Sequence, residues 1–464
     1  MLWIPSFIPP RQLLLATALV LGVACSDDPA SVPTAVVLSP GFAQEPTWTQ
    51  KLPATSPQFG YFPAMVYDAA RQQVVLFAGF DLQSNTFSNE TWIWDGFTWT
   101  QRFPATSPPA RNSHAIAYDA TRQQVVLFGG SVVGTISADT WVWDGVNWTQ
   151  KFPATRPSAR LHTAMTYDVA RQQVVLFGGG PGAPIGFADT WVWDGTNWTQ
   201  KFPATSPPGR GLHRMAYDIV RGQIVLFGAT PDGITFFNDT WVWDGTTWTQ
   251  KFPATSPPIP RYAYAVAYDA ARQQVVLFGG QGPSNTPLYG DTWVWDGTTW
   301  TQKFPASSPP GRSTHVMAYD AARSQVVMFG GITGGAFQAS DTWVWGMPLA
   351  VVQIDIKPGS DPNSLNPKAK GTTAVAILSA ADFDAPAEVD RASLTFGRTG
   401  DEQSLALCTR SAEDVNADGL LDLVCHFENQ KTGFQVGDTE GILKGQTTDG
   451  TPIEGRDDVR VVNS

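Results

Sequence analysis

Cysteine is nearly missing from this chain: three in 464 residues, Cys25, Cys408 and Cys425. None lies between Ser26 and Leu407, so that span can hold neither a disulfide nor a thiolate metal site. Histidine is almost as scarce, with five copies. A basic surplus is also lacking: 30 Lys plus Arg stand against 41 Asp plus Glu, a net charge of −11. Nucleic-acid binders need a basic stripe, and none is available here. Long apolar runs are missing too. The longest, Leu13–Ala24, follows Arg11 and precedes Cys25. Its twelve residues are too few to span a bilayer and read as an export signal over residues 1–25. Residues 26–45 then read as a flexible tether.

What the chain has in excess is repetition. A tyrosine-aspartate pair recurs at Asp68, Asp119, Asp168, Asp218, Asp269 and Asp320, with spacings of 51, 49, 50, 51 and 51. A fixed period of this size marks a solenoid, propeller or array, whose units bury their apolar faces by stacking. Each copy holds four short runs rich in Val, Trp, Tyr, Phe and Thr, such as His114–Tyr118, Gln124–Phe128, Thr140–Trp143 and Trp148–Gln150. Gly, Pro, Asp and Asn bound them, which predicts strands. Asp144-Gly145 between the last two is a hairpin signal. Four antiparallel strands in each of six copies predict an all-β fold, a six-bladed β-propeller over residues 46–346. The sixth copy stops at Thr342-Trp343-Val344-Trp345-Gly346 without its last strand. The missing piece, Thr47-Trp48-Thr49-Gln50, stands alone at the front. An N-terminal strand that completes the last blade closes the ring and removes sheet edges.

These residues resemble the kelch-repeat family. The resemblance rests on the doublets Gly129-Gly130, Gly178-Gly179, Gly279-Gly280 and Gly330-Gly331, the following T-W-x-W, the closing Trp and an R-x-x-H before the first strand. Ala78-Gly79 and Gly228-Ala229 depart from the doublet. The D-G-x-x-W turn is also similar to the sialidase Asp-box, but the serine-led motif is not present. Galactose oxidase is the nearest enzyme in architecture. Its copper site needs a cysteine cross-linked to tyrosine, and this propeller has no cysteine, so no copper is expected.

Catalytic chemistry finds little footing. His114, His162, His213 and His315 read as one repeated slot, and so as structural. Of nineteen carboxylates in the propeller, seventeen fall in the Y-D, D-T-W and W-D-G slots, with Glu90 as the one variant. Those positions suit bonds to backbone amides. Only Asp81 and Asp232 are off pattern. No enzyme is therefore expected. Binding has better support. The segments joining second and third strands vary between copies while the strands do not, and function sits on loops over rigid scaffolds. Arg111, Arg160, Arg210, Arg261 and Arg312 stand at the start of successive inner strands, and a ring of guanidinium groups there suits a carboxylate or anionic sugar. The other reading is that they brace neighbouring blades. The first blade has Gln58–Phe62 in place of its arginine.

Residues 347–464 carry ten Lys plus Arg against nineteen Asp plus Glu and read as a small acidic β-sandwich. I-D-I-K-P-G-S at Ile354–Ser360 and D-V-N-A-D-G-L-L-D-L at Asp414–Leu423 resemble a domain appended to bacterial secreted proteins. Asp414, Asn416, Asp418, the Leu420 carbonyl and Asp422 suit a calcium loop, since Gly419 permits a sharp turn and calcium takes about six to eight oxygens; the alternative is a hairpin capping its own amides. In an oxidising compartment Cys408 and Cys425 either pair or stay free. Gly22-Val23-Ala24-Cys25 resembles a bacterial lipobox, which implies either a lipid on Cys25 or simple cleavage. The expectation is an extracytoplasmic bacterial protein, a monomer without nucleic acid, touching membrane only through Cys25. It would bind protein or glycan, with an enzyme of unknown class or a structural spacer as the alternatives.

Overall fold

The computed structural model describes residues 45–462 apart from 59, 183–185, 231–234, 258, 284–286, 335–336 and 449. The export signal, Cys25, most of the tether and Asp232 lie outside the described residues. The repeats form six four-stranded antiparallel sheets, here blades 1 to 6. Blade 2 pairs Ala115–Asp119, Gln124–Phe128, Thr140–Trp143 and Trp148–Lys151 in that order. The first strands of successive blades contact one another, and that of blade 6, Val316–Asp320, also contacts Ala64–Asp68 of blade 1. These are the inner strands, so their side chains surround the centre.

Blade 6 is built from both ends of the repeat region. Thr47–Lys51 pairs with Thr342–Gly346, placing Trp48 opposite Trp345 and Gln50 opposite Trp343. The Trp48 and Trp345 rings lie 5.5 Å apart. Both faces of every blade are apolar because each faces a neighbour. The core is therefore divided into inter-blade layers, one of which joins Met65, Leu76, Trp94 and Trp99 of blade 1 to Val316, Val327, Phe329 and Val344 of blade 6. Among the described residues twelve tryptophans are the bulkiest fully buried side chains. Burying a large apolar side chain contributes roughly 1.5–3 kcal/mol, so these layers dominate the stability.

Polar bonds run around the same circuit. The outer-strand tryptophan of each blade donates its indole N–H to a threonine on the third strand of the preceding blade. Trp148 reaches Thr91, Trp198 reaches Thr140, Trp248 reaches Thr190 and Trp300 reaches Thr240, all at 2.9 Å. Trp48 fills the corresponding role in blade 6, donating to Thr292 at 2.9 Å, and Trp99 of blade 1 donates to Thr342 at 2.8 Å. Lower down, Arg71 bridges Asp68 and the carbonyl of Asp144 on the next blade. A β-carbon on Gly145 would lie 2.0 Å from Arg71 Nε, and its φ is +100°, so glycine is required there twice over. Arg323 of blade 6 lies against Gly96 of blade 1 in the same way.

The tail forms two four-stranded sheets around a core of Ile354, Ile356, Val375, Ile377, Phe396, Phe427 and Leu443. Ser393 ends a short 3-10 turn, Arg391–Ser393, before the strand Thr395–Gly397, and Leu421 precedes the strand Leu423–Glu428. Cys408 and Cys425 face each other on paired strands and are joined by a disulfide. Among the described residues no helix is long and apolar enough to cross a membrane.

Candidate functional site

The inner strands surround a cavity of about 110 Å³. Its lining includes Ala64, Ala115, Ala164, Ala265 and Val316 from equivalent positions, and Arg214 from blade 4. At one mouth, the residue after each of the five repeat arginines, and after Gly60 in blade 1, bridges to the segment that follows the second strand. Tyr61 pairs with Phe80, Leu161 with Gly180, Gly211 with Thr230 and Tyr262 with Gln281. In blades 2 and 6 this bridging extends into small sheets, Arg111–Asn112 with Ser131–Val132 and Arg312–Ser313 with Ile332–Thr333. The variable segments therefore stand around the cavity mouth, tied to the starts of the inner strands.

The five arginines are not available to a ligand there. Each is buried, and each makes a double ion pair within its own blade. Arg111 meets both oxygens of Asp139 at 2.7 Å, and Arg160, Arg210, Arg261 and Arg312 do the same with Asp189, Asp239, Asp291 and Asp341. Each also donates to the first carbonyl of the glycine doublet, as Arg111 does to Gly129 at 2.8 Å. The anion-binding expectation for these residues is thus corrected, because each guanidinium is buried and both its Nη groups are held by an aspartate. Burial alone would raise Asp139, but the bonds from Arg111 outweigh it and hold the carboxyl below its ordinary value. Removing one arginine would leave a carboxylate without its partner, a change that typically costs roughly 3–5 kcal/mol when the pair is buried. The D-T-W aspartates were expected to cap amides and instead hold arginine and the indole N–H of Trp141, Trp191, Trp241, Trp293 and Trp343. Glu90 keeps only the indole role, accepting from Trp92 at 2.7 Å. Blade 1 has no arginine, so nothing selects the shorter carboxylate.

The histidine slot also needs correction, since it is two slots. His114, His213 and His315 are buried edge-on against Phe77, Phe177 and Phe278 of the preceding blades, 5.6 Å between centroids. Tyr264 takes that position in blade 5 and Thr163 in blade 3. His162 instead sits one residue earlier with φ +59°, a left-handed position shared by Phe62, Ser113, Leu212, Ala263 and Thr314. Burial drives His114 and His162 down to about 3, and His213 and His315 well below 6.5. These rings are neutral spacers at ordinary pH.

Where blade 1 lacks arginine, aromatics gather. Tyr61 and Phe62 lie 4.7 Å apart, Phe80 and Phe87 5.0 Å apart, and Phe62 meets His162 at 5.0 Å. All four aromatics are half-buried. Across the mouth Phe236 stacks on Tyr262 at 5.4 Å. Sequence reasoning noted the loss of arginine in blade 1 but not this cluster; the run Tyr61-Phe62, the one copy with two adjacent aromatics in this slot, was the available signal. It also passed over Leu52, Phe103, Phe152, Phe202, Phe252 and Phe304, one at the end of each outer strand and 80–87% exposed.

In the tail, Asp414 accepts from the amides of Asp418 and Gly419, and Asp418 accepts from Leu420 N–H and from Asn416 Nδ2. Asp414, Asn416 and Asp418 thus meet at an exposed tip. Asp422 does not join them: it is buried and accepts from Val415 N–H at 2.9 Å and Ser379 N–H at 2.8 Å. It caps the base of the loop and does not fit as a calcium ligand. Among the described residues no three carboxylate, imidazole or thiol groups converge as a metal set.

Residues 146–331 match the family model for the KLHDC2/KLHL20/DRC7 Kelch-repeats domain. That stretch runs from the outer strand of blade 2 to the second strand of blade 6. No curated protein matches the chain. The glycine doublets, the T-W-x-W strands and the match agree: residues 146–331 are kelch repeats, and the six four-stranded sheets fit a kelch-type propeller.

Proposed function

We propose that the propeller is an exported, non-enzymatic binding module that takes protein or glycan at the mouth ringed by the variable segments. Kelch repeats generally mediate protein binding. The observation that carries the reading is the half-buried aromatic group Tyr61, Phe62, Phe80 and Phe87 at that mouth, where the one missing arginine–aspartate brace leaves the repeat free to differ. Aromatic faces bury large area at little entropic cost and suit both peptide side chains and sugar rings. The repeated carboxylates and imidazoles are occupied in bracing, which leaves recognition as the simplest use of the surface.

The test is an array of peptides and glycans probed with the intact chain and with Tyr61→Ala/Phe62→Ala. Hits that vanish in the double variant, with its melting temperature kept within a few degrees, support the reading. Hits that persist there but fall when exposed Phe152 and Phe202 are replaced by serine would move recognition to the outer rim. Turnover of a hit would replace the binding reading with an enzymatic one.

For the tail we propose that calcium sits at the loop tip on Asp414, Asn416 and Asp418, with water completing its shell. Support comes from the three oxygen-bearing side chains that already meet there in solvent.

A further inference from the structure

Arg214 breaks the symmetry of the cavity. At its position the other inner strands carry Ala64, Ala115, Ala164, Ala265 and Val316. It is the one formally charged side chain in the lining. The five buried arginines that brace the blades each have an aspartate; among the described residues Arg214 forms no ion pair. Its single side-chain bond is from Nη1 to the carbonyl of His213, 3.0 Å. The Nε and Nη2 groups carry no partner among the described residues and are not sealed from solvent, so they stay open to the cavity. The imidazoles that feel its charge, His162, His213 and His315, are neutral and offer no counter-charge. Burial pushes the guanidinium below its usual value, as expected for a cation short of solvent.

A guanidinium in an apolar setting is costly unless an anion pairs with it. Its Nε–Nη2 edge presents two parallel donors that match the two oxygens of a carboxylate. The cavity lining also includes the methionines Met65, Met165, Met215 and Met317. Their flexible thioether chains adapt to a short alkyl group. A cavity of about 110 Å³ has room for a few heavy atoms and not for a folded segment. We infer that the central cavity is a binding site for a small aliphatic monocarboxylate, held bidentately by Arg214 and packed among the channel methionines. This site is separate from the mouth proposed for protein or glycan and does not depend on it.

The experiment uses the full chain labelled with ¹³C-methyl methionine and titrated with sodium propionate against sodium chloride of equal ionic strength. Propionate is expected to shift the channel methionine resonances saturably, while Met328, buried in an inter-blade layer, stays still. Propionamide, equal in shape and uncharged, is expected to shift nothing. Arg214→Ala should abolish the response; alanine stands at this position in four other blades, so the fold should tolerate it. Arg214→Met, closer in volume, guards against collapse of the cavity and should be equally silent. Arg214→Lys keeps the charge without the paired donors and should weaken binding at least several-fold. A response to propionate that survives Arg214→Ala, a response to propionamide equal to that of propionate, or no saturable shift in the parent chain would each overturn the site.

Discussion

At the scale of single residues, this chain spends its repeated polar groups on fixing each blade and on joining blades to one another. His114, His213 and His315 show the consequence for pH. Their folded values lie far below the unfolded value of 6.5, with burial as the first cause. The unfolded chain therefore binds protons that the folded chain refuses, and stability rises with pH between the folded and unfolded values. The contribution is fully present above about 6.5 and is lost as pH falls toward 3. Each such histidine adds about 1.4 kcal/mol per pH unit to the slope within that window. Denaturant melts of the full chain at pH 7, 6, 5 and 4.5 should show a steady decline. His315→Tyr, which copies the Tyr264 found in the same slot of blade 5, should flatten the decline. An unchanged slope in that variant would mean the ring is not held neutral by its burial.

At the scale of elements, the strands of the repeats were readable because their apolar residues repeat with a short period and their turns are marked by Asp-Gly. The four runs chosen in blade 2 match the observed strands at five of their eight ends and differ by one residue at the other three. The arginine–aspartate pairs were not readable, because Arg111 and Asp139 lie 28 residues apart and only the fold brings them together. Two tail strands, Glu440–Gln446 and Pro452–Asp458, escaped for a different reason. Their inward positions include Gly441, Gly445 and Gly455, where a β-carbon would meet Ile356, Leu394 and Ile354 at 2.5–2.7 Å. Glycine makes room for larger side chains from elsewhere, so the expected apolar alternation is hidden. The loop at Asp414 was legible as a turn, but the inward rotation of Asp422 was not. The calcium proposal is tested on this element. Calcium should raise the melting temperature of the tail transition relative to chelator, and Asp414→Ala with Asp418→Ala should remove the rise. Equal melting in both solutions would leave only the amide-capped turn.

At the scale of the whole molecule, the two ends of the repeat region meet in one blade. The offset at the termini was visible in the sequence, since the last copy lacks the strand that stands alone at residues 47–51. The structure places that strand in blade 6, and the indole bond from Trp48 to Thr292 repeats the one made by every other blade. We propose that this strand is what closes the ring. Trp48 is 1% exposed, and losing a buried aromatic of this size typically costs roughly 3–5 kcal/mol. Without the strand, Thr342–Gly346 would become a bare edge open to pairing with other chains. The most direct measurement is the melting temperature and light scattering of the full chain, of Trp48→Ala and of a chain lacking residues 46–52. A large drop is expected for Trp48→Ala, and a larger one with aggregation for the deletion. A deleted chain that melts with the parent and stays monomeric would contradict closure by this strand.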